Sequence, residues 1–353
     1  MDNEVAGDRP VHLVGSVPLA SAADVFRAAA EAIGPRLARI PDGETRERLG
    51  WVAFQLDVFG AHPSFEPEPP AGELQPGGTD AVGYRRGVYQ LKAGVDATEV
   101  TFGDLGYAAA ALASYATFAE LKAAGLVGAS TRFQVSLPTP RAPLIHCVTE
   151  VEVEAVLPAY RAAMLRELAR VCAEVPSDEL AVQWDVAREI GLLEGVFPVQ
   201  FEGDPLTVVT ESLVELGDAV PSQVPMGYHL CYGDFGHRHF VQPKDLGLVV
   251  GLANRVAAEL SRPLNWLHVP VPRDRDDADY FAPLQALRLP RETELYLGLV
   301  HATDGLAGAR RRMRTAAAYR ERFGIGTECG LGRRDPDTIP ALLALHREVA
   351  ETR

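Results

Sequence analysis

No apolar run in this 353-residue chain approaches the ~20 residues that cross a bilayer, and the N-terminus, Met1-Asp2-Asn3-Glu4, is acidic where a targeting peptide is basic. The expectation is a cytoplasmic protein without a membrane partner. Positive charge is also short: 34 Lys and Arg against 48 Asp and Glu give a net charge of -14, which opposes binding along a phosphate backbone. Nucleic acid is excluded as a partner on that ground. Cysteine is scarce, with four residues at 147, 172, 231 and 329, too few to frame a chain this long with disulfides. They read as thiols. Phosphate-loop signatures are missing as well, since no GxxxxGKS/T or GxGxxG follows a strand, and there is no fixed-period repeat or low-complexity tract.

What is present is a chain 47% hydrophobic and 23% charged, able to bury a large core. Apolar runs of strand length fall at Val11 to Pro18, Arg36 to Pro41, Thr131 to Leu137, Leu180 to Asp185, Pro225 to Cys231, Leu264 to Val271, Glu294 to His301 and Ile325 to Cys329. Helical periodicity lies between them at Ser21 to Ile33, Leu105 to Ala124, Val151 to Val175, Asp245 to Leu260, Gly308 to Phe323 and Pro340 to Glu351. Eight strands alternating with helices predict an α/β fold, a (β/α)8 TIM barrel, as a single domain over residues 1–353. The Pro- and Gly-rich stretch from His62 to Tyr84 reads as a long insertion after the second strand, with a hairpin in Arg85 to Phe102 completing an excursion over 62–102.

In such barrels chemistry collects where strands end. The predicted ends carry Ser16, then Asp42 and Glu44 in "PDGETRER", Gln134, Gln183 and Asp185 in "QWDVARE", His229 and Cys231 in "GYHLCYGDFGHRHF", His268, His301 and Asp304, and Glu328 and Cys329 in "TECG". Polar groups costly to bury gather at one end of every strand. His229 and Cys231, two apart on a strand, project from the same face, and in a closed barrel they converge with Cys329 on one mouth. One imidazole and two thiolates make a formally neutral Zn²⁺ site, and a substrate thiol entering the fourth position would lose its proton yet stay nucleophilic. The plain alternatives are a buried histidine beside a small apolar thiol for His229 and Cys231, and a turn with helix capping for Asp42 and Glu44. Cys147 and Cys172 read as packing residues, Glu189 as structural, and His237 and His239 as loop residues.

Taken in order, "GSVP", "QWDVARE", "HLCYGDF" and "ECGLGRR" resemble the cobalamin-independent methionine synthase family, in its catalytic C-terminal barrel, within the uroporphyrinogen decarboxylase-like superfamily. The resemblance implies a zinc-bound thiolate that accepts a methyl group, with His229, Cys231 and Cys329 as ligands and with Ser16 and Asp185 near the acceptor. In that family a glutamate supplies the remaining protein ligand from the strand after the HxC strand. Here that strand reads "WLHVPVPRDRDD", so His268 is the nearest candidate, followed by Glu328 and Asp234. Full-length family members also carry an additional N-terminal barrel that helps bind a folate donor, for which 353 residues leave no room.

The expected activity is therefore a zinc-dependent methyltransferase acting between a methyl donor and a small thiol such as homocysteine. Asp185 would orient the acceptor, His301 or Asp304 would manage protons at the leaving group, and Ser16, Asp42, Glu44, Gln134 and Gln183 would bind substrate. The alternative is a metal-free lyase or small-molecule binding protein on the same barrel. Donor, thiol and oligomeric state are not specified by the sequence.

Overall fold

Leu180–Val186 and Met226–Leu230 are apolar runs buried at every residue, as strands covered on one face by helices and filled on the other must be. A computed structural model, which describes residues 9–68, 88–197, 202–233 and 238–352, places both at the centre of a parallel sheet. The described residues form strands β1 (Arg39–Pro41), β2 (Phe65–Pro67), β3 (Tyr89–Leu91), β4 (Arg132–Pro138), β5 (Leu180–Val186), β6 (Met226–Leu230), β7 (Trp266–Pro270), β8 (Glu294–Gly298) and β9 (Gly324–Ile325). Seven of them make one curled sheet in the order β1-β4-β5-β6-β7-β8-β9, with every neighbouring pair parallel.

The expected strand at Val11 to Pro18 is different. Val11 alone makes bridges, parallel to Leu37 on one side and to Ile325 on the other, so this residue links the two margins of the sheet. Beyond it the His12 N–H still donates to the Ile325 carbonyl at 2.8 Å, but the next carbonyls meet side chains. The Val14 carbonyl accepts from Gln134 Nε2 at 2.9 Å, Ser136 Oγ at 3.0 Å and Gln183 Nε2 at 2.7 Å, and the Leu13 carbonyl accepts from Gln134 Nε2 at 3.1 Å. With these carbonyls turned to the amides inside the sheet, the segment does not extend the ladder.

Helices cover the outside close to where periodicity places them. Ala22–Ile33 starts at Ser21, whose Oγ accepts from the Asp24 N–H at 3.3 Å, and buries Val25, Phe26, Ala29 and Ile33. Tyr107–Ala123, Val153–Glu174, Gly247–Glu259 and Ile339–Ala350 match their predicted spans within a few residues. The helix expected from Gly308 begins at Gly305 and ends at Ala317. None of the described helices is long and apolar enough to cross a membrane.

The hairpin expected inside 85–102 is formed instead by β2 and β3, which pair antiparallel from opposite ends of the excursion; residues 69–87 lie outside the described set. Phe59 anchors this region to the sheet-covering helices, with ring centroids 5.1 Å from Phe65, 5.4 Å from Phe102 and 5.9 Å from Tyr160.

Candidate metal centre

The register of the sheet sets the height of every polar side chain within it. Pro138, Asp185, His229, His268 and Tyr296 pair across β4 to β8 as one row. Two residues earlier, and so on the same face, Ser136, Gln183, Gly227, Trp266 and Glu294 form the row below. Gly227 is required in that lower row, because a Cβ there would stand 2.2 Å from the Trp266 ring. Cys231 lies two residues beyond His229, one step nearer the mouth.

Three metal-binding side chains meet at this mouth: the candidate ligand atoms of His229, Cys231 and Cys329 all lie within 4.8 Å of one another. The two Sγ atoms are 3.6 Å apart. Thiolates held at ~2.3 Å from a tetrahedral ion are separated by about 3.8 Å, so the pair is already spaced to share one. His229 Nε2 is buried and has no hydrogen-bond partner among the described residues. A neutral imidazole with a spare buried nitrogen beside two thiols is a donor set that fits a borderline-soft divalent ion. The Cys329 thiol is held well below its usual range by its hydrogen bond with Cys231, helped by His229 and by Arg333, whose guanidinium donates to Cys329 Sγ at 3.4 Å.

The centre opens onto a cavity of about 630 Å³ with two kinds of wall. Trp51, Val52, Ile145, Phe197 and Phe240 are apolar; Ser16, Glu44, Asp185, Arg188 and Arg333 are polar. Burial raises the Glu44 carboxyl to about 8 against the opposing pull of Arg48. Burial likewise pushes Asp185 well above the carboxylate range, with the nearby Glu44 adding to the effect. The loop carrying Glu44 holds three non-glycine residues at positive φ, Glu44 at 46°, Arg46 at 61° and Trp51 at 56°. Such backbone is costly, and two of the three residues line the cavity.

A second, more polar cavity of about 270 Å³ adjoins Cys329 and includes His239, Arg273, His301, Glu328 and Arg334. There His301 bonds through Nε2 to the Val271 carbonyl at 2.9 Å and approaches Glu328 Oε2 through Nδ1 at 3.5 Å. Burial lowers the His301 pKa below the usual imidazole value. His239, expected as a loop residue, approaches Glu328 Oε1 at 3.2 Å and lines both cavities.

The structure therefore brings together His229, Cys231, Cys329, Ser16, Glu44 and Asp185, and sets His301 on the far side of Cys329. It places the remaining predicted residues elsewhere. Gln134 is not at a strand end, because β4 continues to Pro138, and Gln183 lies one row beneath Asp185; both amides bond the Val14 carbonyl and neither lines either of these two cavities. Asp42 is tied to the Glu44 N–H at 2.9 Å, Arg48 at 2.5 Å and Ser114 Oγ at 2.8 Å, which is the turn-stabilising role of an Asp before Gly. Asp304 forms a two-pronged pair with Arg312 at 2.7 and 2.8 Å; burial alone would raise its pKa, but Arg312 outweighs it and the carboxyl sits low. His268 is outside the three-residue group, with both ring nitrogens already bonded. Asp234 and His237 lie outside the described residues.

Several contributors were not singled out from sequence. Arg333 stands within the "ECGLGRR" motif, but its reach back to Cys329 depends on the turn at Gly330 and Gly332, where added Cβ atoms would meet Ser16 Oγ at 2.3 and 2.8 Å. The apolar wall comes from four separate segments and carries no local pattern.

No protein-family model matches the chain, and no curated sequence does. Among solved structures, a B12-independent methionine synthase from a Shewanella species, solved with selenomethionine, superposes with a TM-score of 0.53 at 14% identity, covering 98% of this chain and 97% of that one. A putative vitamin-B12-independent methionine synthase from Listeria monocytogenes gives a TM-score of 0.46 at 13% identity, covering 93% and 86%. Across nearly the whole of both chains, this protein is similar in fold to the Shewanella structure.

Proposed function

We propose that this protein is a zinc-dependent thiol alkyltransferase, most simply a methyltransferase, built as one (β/α)8 barrel domain with an excursion over 62–102. The observation that carries the reading is the group of His229, Cys231 and Cys329 at the mouth of the sheet, with a buried unpartnered Nε2 and an adjoining cavity. The double bridge at Val11 supports a closed barrel in which that residue stands in for the first strand. Similarity of fold to a methionine synthase favours methyl as the group transferred.

His229, Cys231 and Cys329 would hold the ion and leave one position facing the cavity. Zinc there lowers the pKa of an incoming thiol while leaving its sulfur nucleophilic. The chain's own residues supply the rest. Asp185 and Glu44, whose carboxyls burial shifts toward the neutral form, would give up protons to receive an ammonium group, which makes an amino-acid thiol such as homocysteine a fitting acceptor. Trp51, Ile145, Phe197 and Phe240 exclude water from the sulfur and offer an apolar face to a methyl donor. His301 gives its Nε2 hydrogen to the Val271 carbonyl and turns Nδ1 toward Glu328, so Nδ1 is the atom that would exchange a proton on the far side of Cys329.

Calorimetry of small thiols against zinc-loaded protein tests this reading. Homocysteine should bind with release of more than one proton per site near neutral pH, one from the thiol and the rest from the carboxyls that receive its ammonium group, whereas a thiol without the amino group should release about one; Asp185→Asn should weaken homocysteine more than that simpler thiol. Binding without proton release would contradict the thiolate mechanism, and equal effects on both thiols would remove the amino-acid acceptor.

A further inference from the structure

His268 has no part in the chemistry above, yet it is fully buried, in register with His229, and bonded at both ring nitrogens. Its Nδ1 is 2.7 Å from His229 Nδ1, and its Nε2 is 3.0 Å from the Thr327 carbonyl oxygen. These two contacts fix the protons. A carbonyl only accepts, so His268 Nε2 carries a hydrogen. A second hydrogen on its Nδ1 would make a buried imidazolium facing only a neutral ring and a carbonyl, an arrangement too costly to keep without a carboxylate partner. His268 Nδ1 is thus the acceptor, and the hydrogen between the rings belongs to His229 Nδ1. Nε2 is the one ring nitrogen of His229 left over, and it is turned to the Cys329 thiol at the mouth.

We propose that His268 is a positioning residue for the metal centre: by accepting from His229 Nδ1 and donating to Thr327, it fixes Nε2 as the ligating atom of His229 and ties the strand bearing His229 and Cys231 to the turn bearing Cys329. This rests on the metal reading above. The Thr327 turn is built for the contact. Thr327 Oγ1 donates to the Cys329 carbonyl at 2.8 Å, and the turn approaches so closely that a Cβ on Gly298 would lie 2.7 Å from the Thr327 oxygen. Direct ligation by His268 through Nδ1 would break its bond with His229, and ligation through Nε2 would leave the Thr327 carbonyl buried and unpaired. One ring thereby couples all three ligands, and a metal-binding histidine whose outer nitrogen is held by a partner is both oriented and set in one tautomer.

Two measurements test it. In metal-free wild type with ¹⁵N-labelled histidine, two-bond ¹H–¹⁵N correlations should show His229 as the Nδ1–H tautomer and His268 as the Nε2–H tautomer. With Co²⁺ as the probe in chelator competition, H268L should weaken binding ~10–100-fold, while H268Q, which keeps an acceptor and a donor, should recover most of the loss. The opposite tautomers in wild type would overturn the proposal without any variant having to fold. So would H268L binding Co²⁺ as tightly as wild type, or a Co²⁺ complex whose paramagnetically shifted His268 signals show direct coordination. A wild type that takes up neither Co²⁺ nor Zn²⁺ would remove the metal reading itself, and is told apart because the tautomers are read without metal.

Discussion

Two rows of polar side chains sit one above the other inside the same sheet, and they behave differently. In the lower row Gln183 spends its Nε2 hydrogens on the Val14 carbonyl and Asp185, while its Oε1 is met by His12 at 2.7 Å and Trp266 at 3.3 Å. Gln134, in register with Ala181 and so one row deeper, gives its Nε2 to Leu13, Val14 and Ser136, while its Oε1 is buried without a partner among the described residues. These amides replace the ladder that the first segment does not form. Toward the mouth, His229 has a spare nitrogen, Asp185 and Glu44 have raised pKa values, and Cys329 a lowered one. Buried amides with occupied hydrogens act as scaffold, whereas buried titratable groups whose charge states are displaced are poised for a ligand.

The sharpest way to break this contrast is to alter each row and read both stability and metal content. At the mouth, Cys231→Ser or Cys329→Ser should reduce zinc affinity by at least ~100-fold while the fold persists, since the metal lies outside the packed strands. Elemental analysis alongside circular dichroism checks it. In the lower row Gln183→Leu should do the reverse, costing about 2–3 kcal/mol in urea denaturation by leaving buried partners unsatisfied, with zinc still bound in the folded protein.

A smaller effect sharpens the comparison through pH. Glu44 has a folded pKa of about 8, above the ordinary carboxyl value of 4.5, so between those values the folded state holds more protons than the unfolded one. Its contribution to stability is present below the unfolded pKa and is lost as pH rises toward 8. Glu44→Gln should therefore be nearly neutral at pH 4 and stabilising by on the order of 2 kcal/mol at pH 8, seen as a shift in urea midpoint. Last, Asp304→Asn should cost about 1.5–3 kcal/mol by taking the charge from the partner of the buried Arg312, and leave zinc and thiol binding unchanged, because Asp304 lines neither cavity.

The same contrast explains what could be read from the residues alone. The alternation of apolar runs with helical periods located the seven strands of the main sheet and most helices, because parallel strands covered by helices are hydrophobic throughout. His229-x-Cys231 and Cys329 were legible because ligand chemistry and period-two projection are local properties. Depth was not legible. Gln183 and Asp185 face the same way two residues apart, and only the lengths of β4 and β5 decide which reaches the cavity. His268 was placed correctly on the strand beside His229 but assigned to the metal, since sequence cannot show that Thr327 takes its other nitrogen. The first strand failed for a related reason: its capture by amides from β4 and β5 is a long-range event with no trace in its own residues.

The central claim is that three protein ligands hold zinc at the mouth and leave one position for a substrate sulfur. X-ray absorption of the zinc-loaded protein tests it most directly, before and after addition of homocysteine. The account predicts two sulfur ligands, one imidazole and one further light atom at rest, becoming three sulfurs and one imidazole with the thiol bound. A resting shell of two sulfurs and two imidazoles that does not change on adding thiol would contradict it.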